Sequence, residues 1–140
     1  MKTVPARYTS DTVFDTFPWP QRPDRAAVKA VARASVELRA LRQEPLQRHQ
    51  FCLRDLYRTL DEPGENPLRV AHARLDQAVR AAYGFPNDVD PLAALLELNQ
   101  ALAARERAKE PVTPPGFPLA SAERTAFTLA DCIEVRNSET

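Results

Sequence analysis

The segment NPLRVAHARLDQAVRAAYG, residues 66–84, decides the fold. Asn66 is a strong N-cap, and Pro67 suits the first helical position, where its missing N–H is not needed and its φ is already helical. Leu68, Ala71, Leu75, Ala78, Val79 and Ala82 then recur at three- and four-residue steps. At 3.6 residues per turn that spacing makes a single apolar stripe. Gly84 offers the left-handed stop that commonly ends a helix. The segment predicts one amphipathic helix with both ends marked, and such a helix must bury its stripe against neighbours.

The neighbours have the same character. Downstream, Asp90-Pro91 repeats the cap-then-proline arrangement and opens a helix whose stripe is Leu92, Leu95, Leu96, Asn99, Leu102 and Ala103. Upstream, Leu53, Leu56, Tyr57 and Leu60 share one face of a short helix, broken by Asp61-Glu62-Pro63-Gly64. Earlier still, Pro23-Asp24 opens a helix of about twenty residues. Val28, Val31, Ser35 and Leu38 form its stripe beside Ala27 and Ala34, and Pro45 is expected to end it. From Pro111 the periodicity fails, and Pro114-Pro115-Gly116 reads as extended chain. Residues 127–135 read as a short strand or hook that packs back. There is no internal repeat. The fold class is all-α: a small bundle of about four helices over residues 23–110, between an extended proline-rich arm (1–22) and an extended tail (111–140).

The arm carries YTSDTVFDTFPWPQ, residues 8–21, with four aromatics and two prolines in fourteen positions. Pro18 and Pro20 fix their own φ and push the preceding residues toward extended conformations. Thr12, Val13 and Phe14 have the composition of a short strand. Phe14, Phe17 and Trp19 are too many large apolar groups for a stiff arm to bury alone. They read as a docking element, a plug for a groove between domains rather than a platform for stacking bases.

Composition narrows the function. The chain has 140 residues, enough for one modest core, and 19 basic residues balance 19 acidic ones. The balance is global and not local: residues 22–48 hold seven basic and three acidic side chains, net +4, and residues 49–140 hold ten and fourteen, net −4. No apolar run reaches the ~18 residues of a membrane span, and no apolar targeting segment opens the sequence. Cys52 and Cys132 stand far apart with no pairing motif, as expected of reduced thiols in a cytoplasmic protein.

Candidate chemistry is sparse. His72 and Asp76 are one helical turn apart, but no third group has a spacing suited to a metal or an acid–base site, so a structural hydrogen bond is the better reading. His49 and Cys52 have three-residue spacing, with only His72 and Cys132 left to complete a zinc site, and no spacing supports one. Asp55 reads as an ion-pair partner for an arginine, and Tyr57 as a core residue with its hydroxyl at the edge. No residue is assigned as catalytic or as a metal ligand. Arg22, Arg25, Lys29, Arg33 and Arg39 fall on one side of the first helix, opposite the valines. They read either as a solvated face, with an Arg33–Glu37 pair, or as a face that contacts DNA phosphates without reading sequence. The residues alone favour the first.

Three blocks, in order, resemble one family. They are Phe14-Asp15-Thr16-Phe17-Pro18-Trp19-Pro20, then Leu53-Arg54-Asp55-Leu56-Tyr57, then the stretch from Ala71 to Gly84. Together they resemble the C-terminal portion of MmeI-like, type IIG restriction-modification enzymes and their methylase-only relatives. Those enzymes transfer a methyl group from S-adenosylmethionine to the N6 of adenine in DNA. The resemblance implies a non-catalytic part. The chain has neither the Gly-rich cofactor loop nor the Asn/Asp-Pro-Pro-aromatic motif, and its nearest approach, Asn66-Pro67-Leu68, is a helix start. S-adenosylmethionine would belong to the full-length enzyme and not to this chain. The implied partners are the methyltransferase and target-recognition domains, docked on Phe14, Phe17 and Trp19, and double-stranded DNA. The implied proximity to DNA brings the two readings of the basic face level. The alternative is a freestanding helical protein–protein adaptor with no DNA role.

Overall fold

A computed structural model of the chain describes residues 13–48 and 52–128. It is all-helical, with no strand among the described residues. Helix α1 spans Arg25–Arg48, α2 Leu53–Arg58, α3 Pro67–Tyr83 and α4 Pro91–Arg107. Short 3-10 segments follow α2 at Thr59–Asp61 and close the described chain at Ser121–Phe127.

The helix ends are built as the sequence indicates. Asp24 Oδ1 accepts from Ala27 N at 2.7 Å. Asn66 Oδ1 accepts from Leu68 N at 2.9 Å, while its Nδ2 donates to Thr59 O at 2.9 Å, so one side chain starts α3 and ties it to the end of α2. Asp90 accepts from Leu92 N and Ala93 N, both at 3.3 Å. Gly84 sits at φ 71°, and Phe85 N donates back to Arg80 O at 3.0 Å, which closes α3 with a left-handed cap. The helix α4 ends in the same way with Lys109 at φ 58°, a position glycine would occupy with less strain.

The main seam joins α1 to α3, with α2 lying across α1. Its centre is a cluster of Leu38, Leu56, Leu68 and Ala71, flanked by half-buried Leu41, Tyr57, Leu60 and Leu75. Ala71 is 1% exposed, at the centre of this cluster. Arg74 of α3 pairs with Glu37 of α1 at the edge of the seam. Three loop connections are held by arginines reaching off helices. Arg69 donates to the carbonyls of Gly64 and Glu62, Arg80 to those of Pro86 and Val89, and Arg105 to that of Pro111.

Several expectations are corrected. Pro45 lies within α1, in its last turn, where the chain continues to Arg48. A proline so near the end deletes one hydrogen bond and leaves the turn intact. Val13 and Phe14 are not in a strand: a turn from Phe14 to Phe17 is closed by Phe17 N to Phe14 O at 3.3 Å, and Thr12 lies outside the described residues. The stripe of α4 is rotated from the expected face. Leu92 and Leu96 are exposed, whereas Ala94 and Leu102 are buried and Leu95 and Leu98 half-buried. Leu53 and Ser35 are also exposed. The tail is not wholly extended, because Ser121–Phe127 coils into the 3-10 segment and Phe127 packs on Phe117, ring centroids 5.4 Å apart. The strand or hook expected over residues 127–135 lies outside the described residues from 129 onward.

Two leucines that periodicity treats alike therefore separate. Leu68 is 4% exposed and Leu92 76%. Leu68→Ala is expected to cost about 2–5 kcal/mol, while Leu92→Ala should stay within about 0.5 kcal/mol of the parent. Urea unfolding midpoints at constant slope check both. Equal shifts would show that the α1–α3 seam is not the core.

Candidate functional site

The basic face is present but partly engaged. Arg25, Lys29, Arg33 and Arg39 are exposed on α1, and Arg22 precedes the helix, also exposed. Arg25 Nε contacts Glu123 Oε2 at 2.9 Å, so the first cation of the row is tied to the returning tail. Glu37, expected to pair with Arg33 on the same helix, instead pairs with Arg74 of α3. The seam brings that arginine closer than an i,i+4 neighbour. Such exposed pairs are individually weak, about 0–1 kcal/mol, and Arg25 remains available for competition by another anion.

The arm is seated on its own chain. Pro18 is buried and Trp19 half-buried. Trp19 meets the edges of Phe14 and Phe17, each at a centroid distance of 5.4 Å and near-perpendicular. Its indole Nε1 donates to Phe14 O at 3.4 Å. Gln21 then locks the arm to the chain beyond α4. Gln21 Nε2 donates to Thr113 O at 3.3 Å, Thr113 N to Gln21 Oε1 at 2.9 Å, and Thr113 Oγ1 to Gln21 O at 2.5 Å. Between arm, α1 and tail lies an apolar cleft of about 280 Å³, lined by Trp19, Val28, Val31, Phe117 and Phe127 among others. A second cleft, of about 320 Å³, puts Phe17 opposite Leu102 and Ala103 of α4. The three docking aromatics thus divide. Trp19 acts inward as a wedge, whereas Phe14 and Phe17 remain 43% and 40% exposed.

A polar cluster that sequence reasoning passed over sits at the α1–α2–α3 junction. Arg42 Nη2 donates to the Tyr57 hydroxyl, and the Arg42 guanidinium lies over the Tyr57 ring, 5.4 Å from its centroid. The hydroxyl lies 2.9 Å from His72 Nε2, and the two rings meet edge to face. The Tyr57 hydroxyl thus accepts from Arg42 and stands within hydrogen-bond distance of His72 Nε2, joining the two side chains. His72 is therefore satisfied by Tyr57, and Asp76, its expected partner, is exposed. One residue from each of three helices meets here, at the rim of the apolar cluster. The spacing of Arg42 to Tyr57 and of Tyr57 to His72 is fifteen residues each, a separation with no helical meaning, so nothing in the periodicity pointed to it.

At the start of α2, the Asp55 carboxylate accepts from Cys52 N at 3.2 Å and from Cys52 Sγ at 2.9 Å, with Arg58 3.8 Å away. The arginine partner was expected; the thiol was not. The thiol hydrogen bond, then the backbone one, hold the Asp55 carboxyl below its ordinary value. At the other end of α3, Tyr83 stacks on Phe85, and burial pushes its phenol above its ordinary value. His49 and Cys132, considered with Cys52 and His72 for zinc, lie outside the described residues.

Two measurements follow from these contacts. Tyr57→Phe removes the group joining Arg42 to His72 and should destabilise the chain by about 1–3 kcal/mol. A double-mutant cycle with His72→Ala should return a coupling of about 0.5 kcal/mol or more, and a coupling of zero would break the assignment. For Asp55, whose folded value is depressed, the stabilisation is present above the unfolded carboxylate range and is lost as pH falls through the folded value. NMR titration should place its midpoint below that of a free aspartate, and Cys52→Ala should raise it.

Compared with protein-family models, with curated proteins and with solved structures, the chain matches none.

Proposed function

We propose that this chain is the non-catalytic helical domain of an MmeI-like, adenine-N6 DNA methyltransferase or restriction-modification protein. It braces the methyltransferase and target-recognition domains and adds contacts to the DNA backbone. S-adenosylmethionine and the methyl transfer belong to those other domains, and the protein works in the cytoplasm. The sequence resemblance motivates the reading. The observation that carries it is the Phe14–Phe17 pair, held in place by Trp19 yet left facing solvent. Exposed Leu92 and Leu96 on α4 add apolar surface of the kind that marks a protein contact. The exposed cations of α1 supply the DNA contact, through charge and not base reading.

The test uses the methyltransferase and target-recognition domains of such an enzyme, made as a separate polypeptide. The chain should bind them, Trp19 fluorescence should shift to the blue on binding, and Phe14→Ser with Phe17→Ser should abolish the association. Failure of the unaltered chain to bind would refute the bracing role.

DNA binding is checked separately. With about three to five phosphate contacts, the slope of log affinity against log salt should be near −3 to −4, with no sequence preference. Charge reversal at Arg25, Lys29 and Arg33 together should abolish it. The second reading, an adaptor that binds protein only, is favoured by the Arg25–Glu123 pair, which draws one cation away from phosphate. Association with the partner domains but no salt-dependent DNA binding would select it.

A further inference from the structure

Helix α4 is apolar on more than the side it buries. Over residues 91–102 it carries a single charge, Glu97. Ala94 and Leu102 are buried, and Leu95 and Leu98 half-buried. On the opposite side Leu92 is 76% exposed and Leu96 57%, and the stripe continues through exposed Gln100 and Ala103 at steps of three and four residues. No other helix packs along α4 among the described residues. A helix with apolar residues on both sides is built to be covered on both.

The charges along α4 name the occupant. Residues 88–98 hold Asp88, Asp90 and Glu97 and no basic group, net −3. Residues 99–109 hold Arg105, Arg107 and Lys109 against Glu106, three minus one, net +2. Arg105 is taken up by Glu110, which leaves Arg107 and Lys109 exposed at the end of the helix, as Asp88 and Asp90 are at its start. A partner must therefore bring basic groups to one end of the stripe and acidic groups to the other. A second copy of α4 laid antiparallel does so twice, by symmetry, and opposes the two helix dipoles as well. A parallel copy would set like charge on like at both ends. DNA is ill suited, because the acidic start repels phosphate and phosphate gains nothing from the leucines.

We propose that this side of α4 is a homodimer surface. Two copies of the chain pack antiparallel about a twofold axis beside Gln100, with Leu96 of each copy on Ala103 of the other and Asp90 of each beside Lys109 and Arg107 of the other. The same patch serves on both copies, so the contact closes on itself. With 17 residues, α4 is about 25 Å long. One such helix pair falls at the low end of interface sizes, so the dimer is reversible, with a dissociation constant on the order of 1–100 µM. The inference concerns the chain alone and holds whatever other domains it joins.

Sedimentation equilibrium of the full chain should show monomer and dimer in exchange. Leu92→Glu with Leu96→Glu should raise the dissociation constant at least ~30-fold, with circular dichroism and Trp19 fluorescence verifying that the fold is kept. Arg107→Glu with Lys109→Glu should weaken the dimer several-fold at low salt. Orientation is read separately, in chains carrying Cys52→Ser and Cys132→Ser. Gln100→Cys, beside the axis, should form a disulfide between copies on mild oxidation. Ala93→Cys should do so at least about tenfold more slowly, because the two copies of that residue lie roughly 20 Å apart in the antiparallel pair. A chain still monomeric near millimolar concentration would overturn the proposal. So would a dimer indifferent to the leucine or the charge substitutions, or equal disulfide rates at the two positions.

Discussion

The packing of α1 against α3 around Ala71 sets the positions of the other parts. A larger side chain there would force the backbones apart, and Leu38, Leu56 and Leu68 would no longer meet over it. The same packing brings Glu37 to Arg74 and sets Arg42 and His72 on either side of Tyr57. Polar geometry at this junction is thus a consequence of apolar packing. Burial of each leucine contributes roughly 1.5–3 kcal/mol, and the hydrogen bonds add less but make the register of the helices specific.

What could be read from the sequence was whatever is decided within a turn or two of chain. Asn66, Asp90 and Gly84 cap and stop helices because their own side chains or φ preferences do the work, and these positions are as expected. The stripe of α3 was readable because most of it meets the seam; Val79, expected in that stripe, is exposed. The stripe of α4 was misplaced for the opposite reason. Periodicity tells which face of a helix is apolar, but coverage depends on neighbours: the arm and the segment after α4 face Asn99, Leu102 and Ala103 near the end of the helix, while Leu92 and Leu96 stay exposed. Of the candidate site, the basic residues and arm aromatics were found from composition and spacing. Their division into inward Trp19 and outward Phe14 and Phe17 was not, since it depends on Thr113, far along the chain.

Arginine has two roles here that composition cannot distinguish. Arg69, Arg80 and Arg105 donate to loop carbonyls that would otherwise face water, and so shape the connections between helices. Arg42 is half-buried with an aromatic ring beneath it. A count of basic residues therefore overstates the charge available to an external anion. The surplus that faces outward is concentrated on α1, and its local sign, not the neutral total, governs what approaches that side.

The Gln21–Thr113 clamp joins residues 92 positions apart. In an unfolded chain, closing so long a loop is entropically unfavourable, so the clamp can form only once the docked helices have drawn its two ends together. It follows that the molecule has a hierarchy of cooperativity. The clamp, arm and tail make a sub-global unit that can open while α1 and α3 stay closed. In such an opened state Trp19 leaves its seat and the aromatic surface is rearranged without the core being disturbed. The exposure of the arm's aromatics and global stability are therefore separable properties, so the arm can change under selection while the seam stays fixed.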